Sequence, residues 1–317
     1  MQKLILLLMV AAMLTGCGMT DAVNDAIDGT EKAVEDGADM VEDGVDNIQK
    51  GIDDAGNEAE RMKDDMMNKP TSKLQNDAVS VAADYSSYNN DSFGFGFKKA
   101  EKGTVPDVGV YGGMMKDKNA AYFSKDSGKK IFLTFDEGYE NGYTAQILDI
   151  LKEKNCPAAF FVTGDYLKDN SELIQRMIDE KHIIGNHTWN HPSMPQVMDT
   201  AKFQDELTKL DDYLYEKHGI RTTYFRYPSG EFSERTLQII KDMGYKTAFW
   251  SLAYKDWERD VVKGADYAFN EVVNHIHDGA IILLHAVSKD NADALGRIID
   301  QLRSEGYEFC SLEEAVF

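Results

Sequence analysis

Two adjacent acidic residues, Asp136 and Glu137, stand where an apolar run meets a loop. The run at residues 131–135 is typical of a buried strand, and Gly138 directly after the acids indicates a turn. A charged carboxylate removed from water costs several kcal/mol unless it is paired or binds a metal ion. The two acids are therefore candidates for catalysis or metal binding. The alternative, a pair of solvated loop acids, is decided by residues downstream.

Two histidines four residues apart, His187 and His191, form a second group. At this spacing two imidazoles lie on one face of a helical turn, close enough for one cation to bind both. Two histidines, one carboxylate and a water complete a ligand set of catalytic zinc, which lowers the pKa of the water and polarises a carbonyl. The spacing alone is weak evidence, but together with the two acids it predicts a divalent metal site, with zinc as the expected ion. A remaining carboxylate can then take the proton of the water.

A third group, Arg226 and Pro228, follows another apolar run. An arginine at a strand end can hold a carboxylate by two parallel contacts and keep it ionised. The backbone N–H after Pro228 can point at a developing oxyanion. The alternative is a Pro-Gly turn that carries a surface arginine, and the stretch in isolation favours it.

Asp256, Trp257 and His285 complete the candidates. Asp256 is a second possible partner for Arg226 or for a histidine, and Trp257 is either a wall for a sugar ring or part of the core. His285 ends the apolar run at residues 281–284, where a histidine is usually just packed. Opposite an activated water, however, it suits protonation of a leaving amine.

The elements that must position these residues alternate from residue 129 onwards. The expected strands cover residues 131–135, 158–162, 183–185, 224–227, 245–250, 280–284 and 307–310, and the expected helices cover 143–155, 171–180, 199–218, 233–243, 266–275 and 290–304. About seven strands with helices between them predict an α/β fold with a parallel sheet, open or curled into a barrel. The candidate residues follow strand ends, which is where a barrel keeps its active site.

The net charge of −21 argues against nucleic acid as a partner, because phosphate contacts need a basic surface, but it does not exclude a neutral glycan. Residues 21–70 contain 16 acids and 5 bases, so 5 − 16 = −11, about half of the net charge. Loose repeats there carry glycines seven residues apart, at Gly37, Gly44 and Gly51, which weaken a narrow helical stripe. We therefore expect an acidic tether at residues 18–69, partly helical or disordered, with a self-associating coil as the alternative.

The amino terminus predicts export. Residues 1–17 combine a lysine, an apolar run too short to span a membrane and the sequence Leu-Thr-Gly-Cys ending at Cys17. This ending resembles the bacterial lipobox, which implies a lipidated cysteine and an extracytoplasmic protein anchored to the cell membrane. The alternative is an ordinary cleaved signal. Cys156 and Cys310 read as small buried hydrophobes, although a disulfide is permitted outside the cell.

Between the predicted tether and the α/β domain, residues 70–128 are irregular and rich in aromatic side chains, which we expect to pack across the surface of the domain.

Residues 129–317 resemble the polysaccharide deacetylase family, carbohydrate esterase family 4, with its NodB homology domain. The likeness rests on the groups around Asp136, His187, Arg226, Asp256 and His285, which occur in the order of the five family motifs. It implies a distorted (β/α) barrel.

The resemblance also implies roles for the residues. Asp136 is the base and Arg226 holds it. Asp256 belongs to the fourth motif, and His285 is the general acid. The implied metal ligands are His187, His191 and Glu137, and the implied sugar-contacting positions are Tyr227, Pro228, Ser229, Trp257 and Leu283.

Several stretches look like one subgroup, the peptidoglycan N-acetylmuramic acid deacetylases of spore-forming bacteria. They include residues 138–144, 160–164, 182–187 and 285–292. The resemblance implies metal-dependent removal of acetate from N-acetylmuramic acid in a peptidoglycan strand, a step towards muramic δ-lactam in spore cortex, by a monomer. The alternatives are the same reaction on N-acetylglucosamine in peptidoglycan or another polysaccharide, and an inactive, tethered wall-binding lipoprotein.

Two positions depart from the family pattern. Glu137 stands where the family has a second Asp, so its longer side chain either reaches the metal or leaves it to the histidines and water. Ala253 stands where many relatives carry an Asp that tunes the catalytic histidine. The group that sets the protonation of His285 is therefore not identified from the sequence. Tyr227 and Ser229 also differ from commoner forms.

Overall fold

The structure is a computed structural model and describes residues 84–317. Over this range the α-helices are α1 Tyr111–Met115, α2 Thr144–Glu153, α3 Gly164–Asp169, α4 Ser171–Asp179, α5 Thr200–His218, α6 Glu234–Asp242, α7 Ala265–Val273 and α8 Lys289–Ser304. The strands are β1 Phe93–Gly94, β2 Ala120–Ala121, β3 Lys130–Glu137, β4 Ala159–Val162, β5 Ile183–Asn186, β6 Tyr224–Phe225, β7 Glu231–Phe232, β8 Lys246–Ala248, β9 Ile281–His285 and β10 Glu308–Phe309.

The main sheet is parallel and curls into a barrel. Its strands run in the order β10, β3, β4, β5, β6, β8 and β2, and β9 pairs with β3 along the edge opposite β4. Leu252, which follows β8 in the sequence, forms a parallel bridge with Ile282 of β9, and this bridge joins the two sides of the curled sheet. The predicted parallel α/β barrel with about seven strands is confirmed.

Alternation along β3 separates two apolar layers, because successive side chains in a strand point to opposite faces. Ile131, Leu133 and Phe135 join the large cluster that includes residues of α2, α4, α7 and α8. Phe132 packs instead with Phe161 and other residues in a smaller cluster. Side chains of β3 therefore point either outward to the helices or inward to the barrel.

The segment before the barrel packs against it. Tyr85, Phe95, Val108 and Met115 are buried in a third cluster. Strand β1 pairs antiparallel with β7, and β2 adds a parallel edge strand beside β8. The sequence pattern did not predict these short strands, because two residues are too few to show a period.

The predictions for the amino terminus, namely the export signal, lipidated Cys17 and the tether at residues 18–69, concern residues outside the described range. Cys156 and Cys310 are both buried and free within the described chain. No helix of residues 84–317 is long and apolar enough to cross a membrane.

Candidate active site

Asp136 lies near the carboxyl end of β3, on the inward-facing side of the strand. In the register of the sheet it stands beside His285 of β9 and Phe161 of β4. The two predicted acid–base residues are thus neighbours across one pair of strands, although 149 positions separate them in the sequence. Asp136 is only 7% exposed, so its charge depends on protein partners rather than on water.

Arg226 is that partner. It follows β6 directly and is fully buried, and its Nη1 donates to Asp136 Oδ1 at 2.8 Å and to Thr134 Oγ1 at 2.9 Å. Its Nε donates to the backbone oxygen of Ala248 at 2.8 Å, and the guanidinium lies 4.1 Å from the ring centroid of Phe161. Burial alone raises the pKa of Asp136, but Arg226, His187 and His285 together lower it. The carboxylate is therefore ionised and held in one orientation.

The segment that carries His187 and His191 is not the helical turn that the spacing predicted. It is a loop in which Thr188 and His191 have positive φ, at 68° and 56°. Thr188 Oγ1 accepts from the N–H of His191 at 3.0 Å, which closes the loop and brings the two rings to a centroid distance of 4.9 Å. The predicted proximity of the rings is present, but local hydrogen bonds create it instead of helical periodicity.

Gly164, at the start of α3, packs against Trp189 in the middle of this loop. Its N–H donates to the backbone oxygen of Trp189 at 3.1 Å, and a Cβ at this position would lie 2.4 Å from the Trp189 ring. Only a glycine leaves room for the indole. His187 and His191 lie two residues before and two residues after Trp189, so the position of the indole also fixes the loop that carries both histidines.

His187 points its Nε2 at the acid. The Nδ1 atom lies 2.9 Å from the backbone oxygen of Arg226, so Nδ1 carries the proton and Nε2 is a lone-pair donor. Nε2 is 3.7 Å from Asp136 Oδ2. Burial lowers the pKa of His187 to about 4, which keeps the ring neutral, as a metal ligand must be.

Glu137 does not join the histidines. It is the neighbour of Asp136 in one strand, so its side chain points to the opposite, helix-facing side. There it is fully buried, and neither carboxylate oxygen has a hydrogen-bond partner among residues 84–317. Burial, with smaller effects from the charges of Glu140 and Asp136, raises the pKa of Glu137 well above its usual value. The resemblance placed Glu137 on the metal, and strand alternation is the reason that the structure differs.

The two imidazoles of His187 and His191 are suitable ligands for a divalent cation, but the described part of the chain adds no third side chain to them. Within residues 84–317 no three or more His, Cys, Asp or Glu side chains are arranged to hold a metal ion. The two imidazoles are nevertheless close together, and the backbone contact of His187 fixes its ring in the orientation typical of metal ligands. His187 and His191 would hold the cation and leave its other positions open, which is the feature of a catalytic site.

Asp256 is the acid that contacts His285, in the role that the Asp of many relatives would have at the position of Ala253. Its Oδ1 is 2.7 Å from His285 Nδ1, and its Oδ2 accepts the backbone N–H of His285 at 2.9 Å. Of the two partners predicted for Asp256, the structure selects the histidine. Burial lowers the pKa of His285, but the carboxylate of Asp256 outweighs it, and the net direction is upward. A raised pKa suits a group that must donate a proton.

The predicted sugar-contacting residues divide into exposed and buried ones. Trp257 is 50% exposed, and its ring stands edge-on to His285 at a centroid distance of 5.7 Å. Ser229 is also exposed, with φ of 54°. Tyr227, Pro228 and Leu283 are buried, and the ring of Tyr227 stacks on Phe249 in the core. These three side chains support the site from inside instead of facing a glycan.

Sequence reasoning missed Thr134, which shares the inward face with Asp136. Its Oγ1 donates to the backbone oxygen of Ile282 at 2.6 Å and accepts from Arg226, so it links β3, β9 and the guanidinium. A hydroxyl two positions before an acid, inside an otherwise apolar strand, is the signal that could have revealed it.

A carboxylate kept ionised by an arginine and an imidazole kept basic by a second carboxylate stand on adjacent strands at the carboxyl rim of a parallel barrel. Such a pair can supply a base and an acid at one place, and with this fold it is the arrangement of a hydrolase of the β/α-barrel class. A family model described as polysaccharide deacetylase matches residues 124–248.

Curated relatives and solved structures agree with that match. Peptidoglycan-N-acetylmuramic acid deacetylase PdaA of Bacillus subtilis (strain 168) is 42% identical over 238 residues, which cover 74% of this chain and 90% of that protein. The structure of B. subtilis PdaA, a family 4 carbohydrate esterase, aligns with a TM-score of 0.70 at 41% identity, covering 72% of this chain and 97% of that one. Peptidoglycan-N-acetylglucosamine deacetylase PgdA of Listeria monocytogenes (strain 10403S) is 31% identical over 59% of this chain and 39% of that protein. The chain belongs to the polysaccharide deacetylase family.

Proposed function

We propose that the protein removes the acetyl group of N-acetylmuramic acid residues in peptidoglycan by metal-dependent hydrolysis. The observation that carries the proposal is the placement of Asp136 beside His285, each with its own charged partner. Amide hydrolysis needs a base for the water and an acid for the leaving amine, and these two groups supply both.

The chain's own residues divide the work. Asp136 is held by Arg226, so it presents Oδ2 towards His187 and accepts a proton from the attacking water. In its protonated form, His285 donates its Nδ1–H to Asp256 and uses its Nε2–H to protonate the amine as it departs. A bound divalent cation supplies Lewis-acid chemistry, polarising a carbonyl and making water acidic. Trp257 offers an exposed aromatic face at the rim, which suits a sugar ring.

The comparisons support muramic acid over glucosamine. PdaA, named for N-acetylmuramic acid, matches along 90% of its length at 42% identity, whereas PgdA, named for N-acetylglucosamine, matches along 39% at 31%. Mass spectrometry of digested peptidoglycan after treatment with the protein separates the two. We expect loss of acetate at N-acetylmuramic acid, seen as muramic acid with a free amino group or as muramic δ-lactam. Loss at glucosamine alone would replace the proposal with its nearest rival.

Asp136→Asn tests the mechanism. The change keeps the shape of the side chain but removes the base, so acetate release should fall to background while the circular dichroism spectrum is unchanged. Asp211→Asn is a matched control, because Asp211 is also a buried acid, with hydrogen bonds to Thr222 and Tyr245 and none to the site. The control should release acetate in proportion to its folded fraction. Full activity of Asp136→Asn would refute the mechanism.

A second candidate is an inactive wall-binding protein, and the orientation of Glu137 favours it. A family ligand position that points away from the histidines leaves the metal fewer protein donors. Metal analysis of the purified protein decides between the two. Stoichiometric metal that is lost in His187→Ala, together with acetate release, supports the enzyme. If the wild-type protein releases no acetate, and neither metal content nor acetate release changes in this variant, the binding protein is the better description.

We further propose zinc as the native cation, because two imidazoles and open coordination positions suit this ion.

We also propose that lipidated Cys17 anchors the protein outside the cytoplasm, with residues 18–69 as a spacer. Cys17→Ala should move the protein from the membrane fraction to the soluble fraction. Retention in the membrane fraction would refute lipid anchoring at this cysteine.

A further inference from the structure

A buried amide, Asn291, lies behind the pair formed by His285 and Asp256. Its Nδ2 donates to Asp256 Oδ2 at 2.6 Å and to the backbone oxygen of His285 at 3.1 Å. Asn291 is 1% exposed, so both N–H groups are satisfied inside the protein. One side chain thus ties the carboxylate to the strand end that carries the imidazole.

The orientation of this amide is set by Tyr254. The Tyr254 hydroxyl donates to Asn291 Oδ1, so the NH₂ group must face Asp256. The reversed amide would place its oxygen against a carboxylate oxygen, and neither atom can donate. Burial, with the charges of Asp256 and Asp290, raises the pKa of Tyr254, so the hydroxyl keeps its proton.

The backbone of Asn291 is fixed as well. It lies in the first turn of α8, where its N–H donates to the capping hydroxyl of Ser288 at 3.3 Å. The chain turns from β9 into α8 between His285 and Asn291, and the Asn291 side chain closes this turn by reaching back to the His285 carbonyl. The amide therefore stands on a rigid element and not on a free loop.

We infer that Asn291, oriented by Tyr254, is a positioning residue that fixes Asp256 against Nδ1 of His285. Without the amide, Oδ2 of Asp256 retains one partner in the described part of the chain, the N–H of His285, and the carboxylate is less constrained in rotation about its own axis. The imidazole then loses the contact that selects its Nδ1–H tautomer, and Nε2 no longer faces the reaction in one state. The inference rests on the proposed function for the reaction that it serves, but the geometry stands without it.

The test uses Asn291→Asp in the full chain, because this variant keeps the shape and replaces both N–H donors by acceptors. Tyr254→Phe removes only the group that orients the amide. Ser288→Ala is the matched control, since it weakens the same helix start and leaves the contacts of Asp256 in place. Each protein is assayed for kcat and KM, and its ¹⁵N-labelled histidines are observed by NMR at a pH above the pKa of His285, where the ring is neutral and its tautomer can be read.

The expected result is a loss of kcat of about 100-fold in Asn291→Asp with KM nearly unchanged, because misplacing a reacting group by a small distance costs this much. Tyr254→Phe should show a smaller loss in the same direction. Both variants should lose the single Nδ1–H signature of His285, and Ser288→Ala should retain it. If Asn291→Asp does not fold, Tyr254→Phe alone carries the same test.

Two results would overturn the inference. One is an unchanged His285 tautomer in both variants. The other is an equal loss in Ser288→Ala, which would reduce Asn291 to a role in folding the helix start. Failure of the wild-type protein to release acetate from any glycan would refute the proposed function instead, and the tautomer comparison would still decide the role of Asn291.

Discussion

Replacing Arg226 by methionine should destabilise the fold by an amount that depends on pH. The guanidinium is fully buried and is the positive partner of Asp136, itself 7% exposed. Removing one partner of a buried ion pair costs about 3–5 kcal/mol, because the other charge is left unpaired. Methionine fills similar space, so the cost comes from charge and hydrogen bonding more than from a cavity.

The pH dependence follows from the direction of the pKa shift. In the wild-type protein the folded-state pKa of Asp136 is lowered from 3.8, so its stabilising contribution is complete above 3.8 and is lost as pH falls through the lowered value. In Arg226→Met burial loses its largest opponent, the guanidinium, and we expect it to outweigh the smaller effects of His187 and His285 and to raise this pKa above 3.8. The variant then loses stability as pH rises above 3.8, and the gap to wild type is largest near neutrality.

Urea denaturation of chelator-treated protein between pH 4.5 and 7.5 measures this gap. Arg235→Met is the matched control, because Arg235 is 6% exposed and, among residues 84–317, donates only to neutral oxygens of Val197, Met198 and Thr200. Its cost, about 1–3 kcal/mol, should be nearly constant over the same range. A gap for Arg226→Met that is equally constant would show that lost backbone contacts, and not the unpaired carboxylate, set its cost.

Three further changes test other parts of the site. Glu137→Gln should leave metal content unchanged; the raised pKa makes wild-type stability decline as pH rises above 4.5, and denaturation of the variant should lack this decline. Asp256→Asn should move the alkaline limb of the kcat–pH profile to lower pH, because the carboxylate is what raises the pKa of His285; an unmoved limb would remove His285 as the acid. Gly164→Ala should cost about 1–3 kcal/mol in thermal unfolding, because its Cβ would meet the Trp189 ring, whereas unchanged stability and activity would show that the loop adapts.

The sequence could predict the barrel because its strands are long apolar runs with helical patterns between them. Strand β3 runs Lys130–Glu137 where the pattern indicated 131–135, and α5 runs Thr200–His218 where it indicated 199–218. The proximity of Asp136, Arg226 and the distant His285 was predictable, since each lies at the end of a strand and parallel strands end at one rim. Their meeting therefore needed only topology.

Other parts of the site depend on contacts that carry no period. The loop between His187 and His191 owes its shape to positive φ at Thr188, an uncommon conformation for a β-branched residue. Tyr227 reads as a site residue by position, yet its ring packs on Phe249. Asn291 lies in the first turn of α8, six residues after His285. Its contacts with Asp256 and His285 arise only from the folded turn between β9 and α8, so the sequence pattern does not predict them.

Glu137 shows how one rule of strand geometry separates two readings of the same pair of acids. If both carboxylates served one metal, the chain would have to leave the extended conformation between them, because neighbours in a strand face opposite ways. Strand β3 instead continues through Glu137, which pairs with Val162 of β4. Asp136 therefore faces the site with a lowered pKa, and Glu137 faces the helices with a raised one. Two adjacent acids thus acquire opposite protonation preferences, because the backbone geometry turns Asp136 towards Arg226 and Glu137 into an interior that offers its carboxylate no hydrogen-bond partner among residues 84–317.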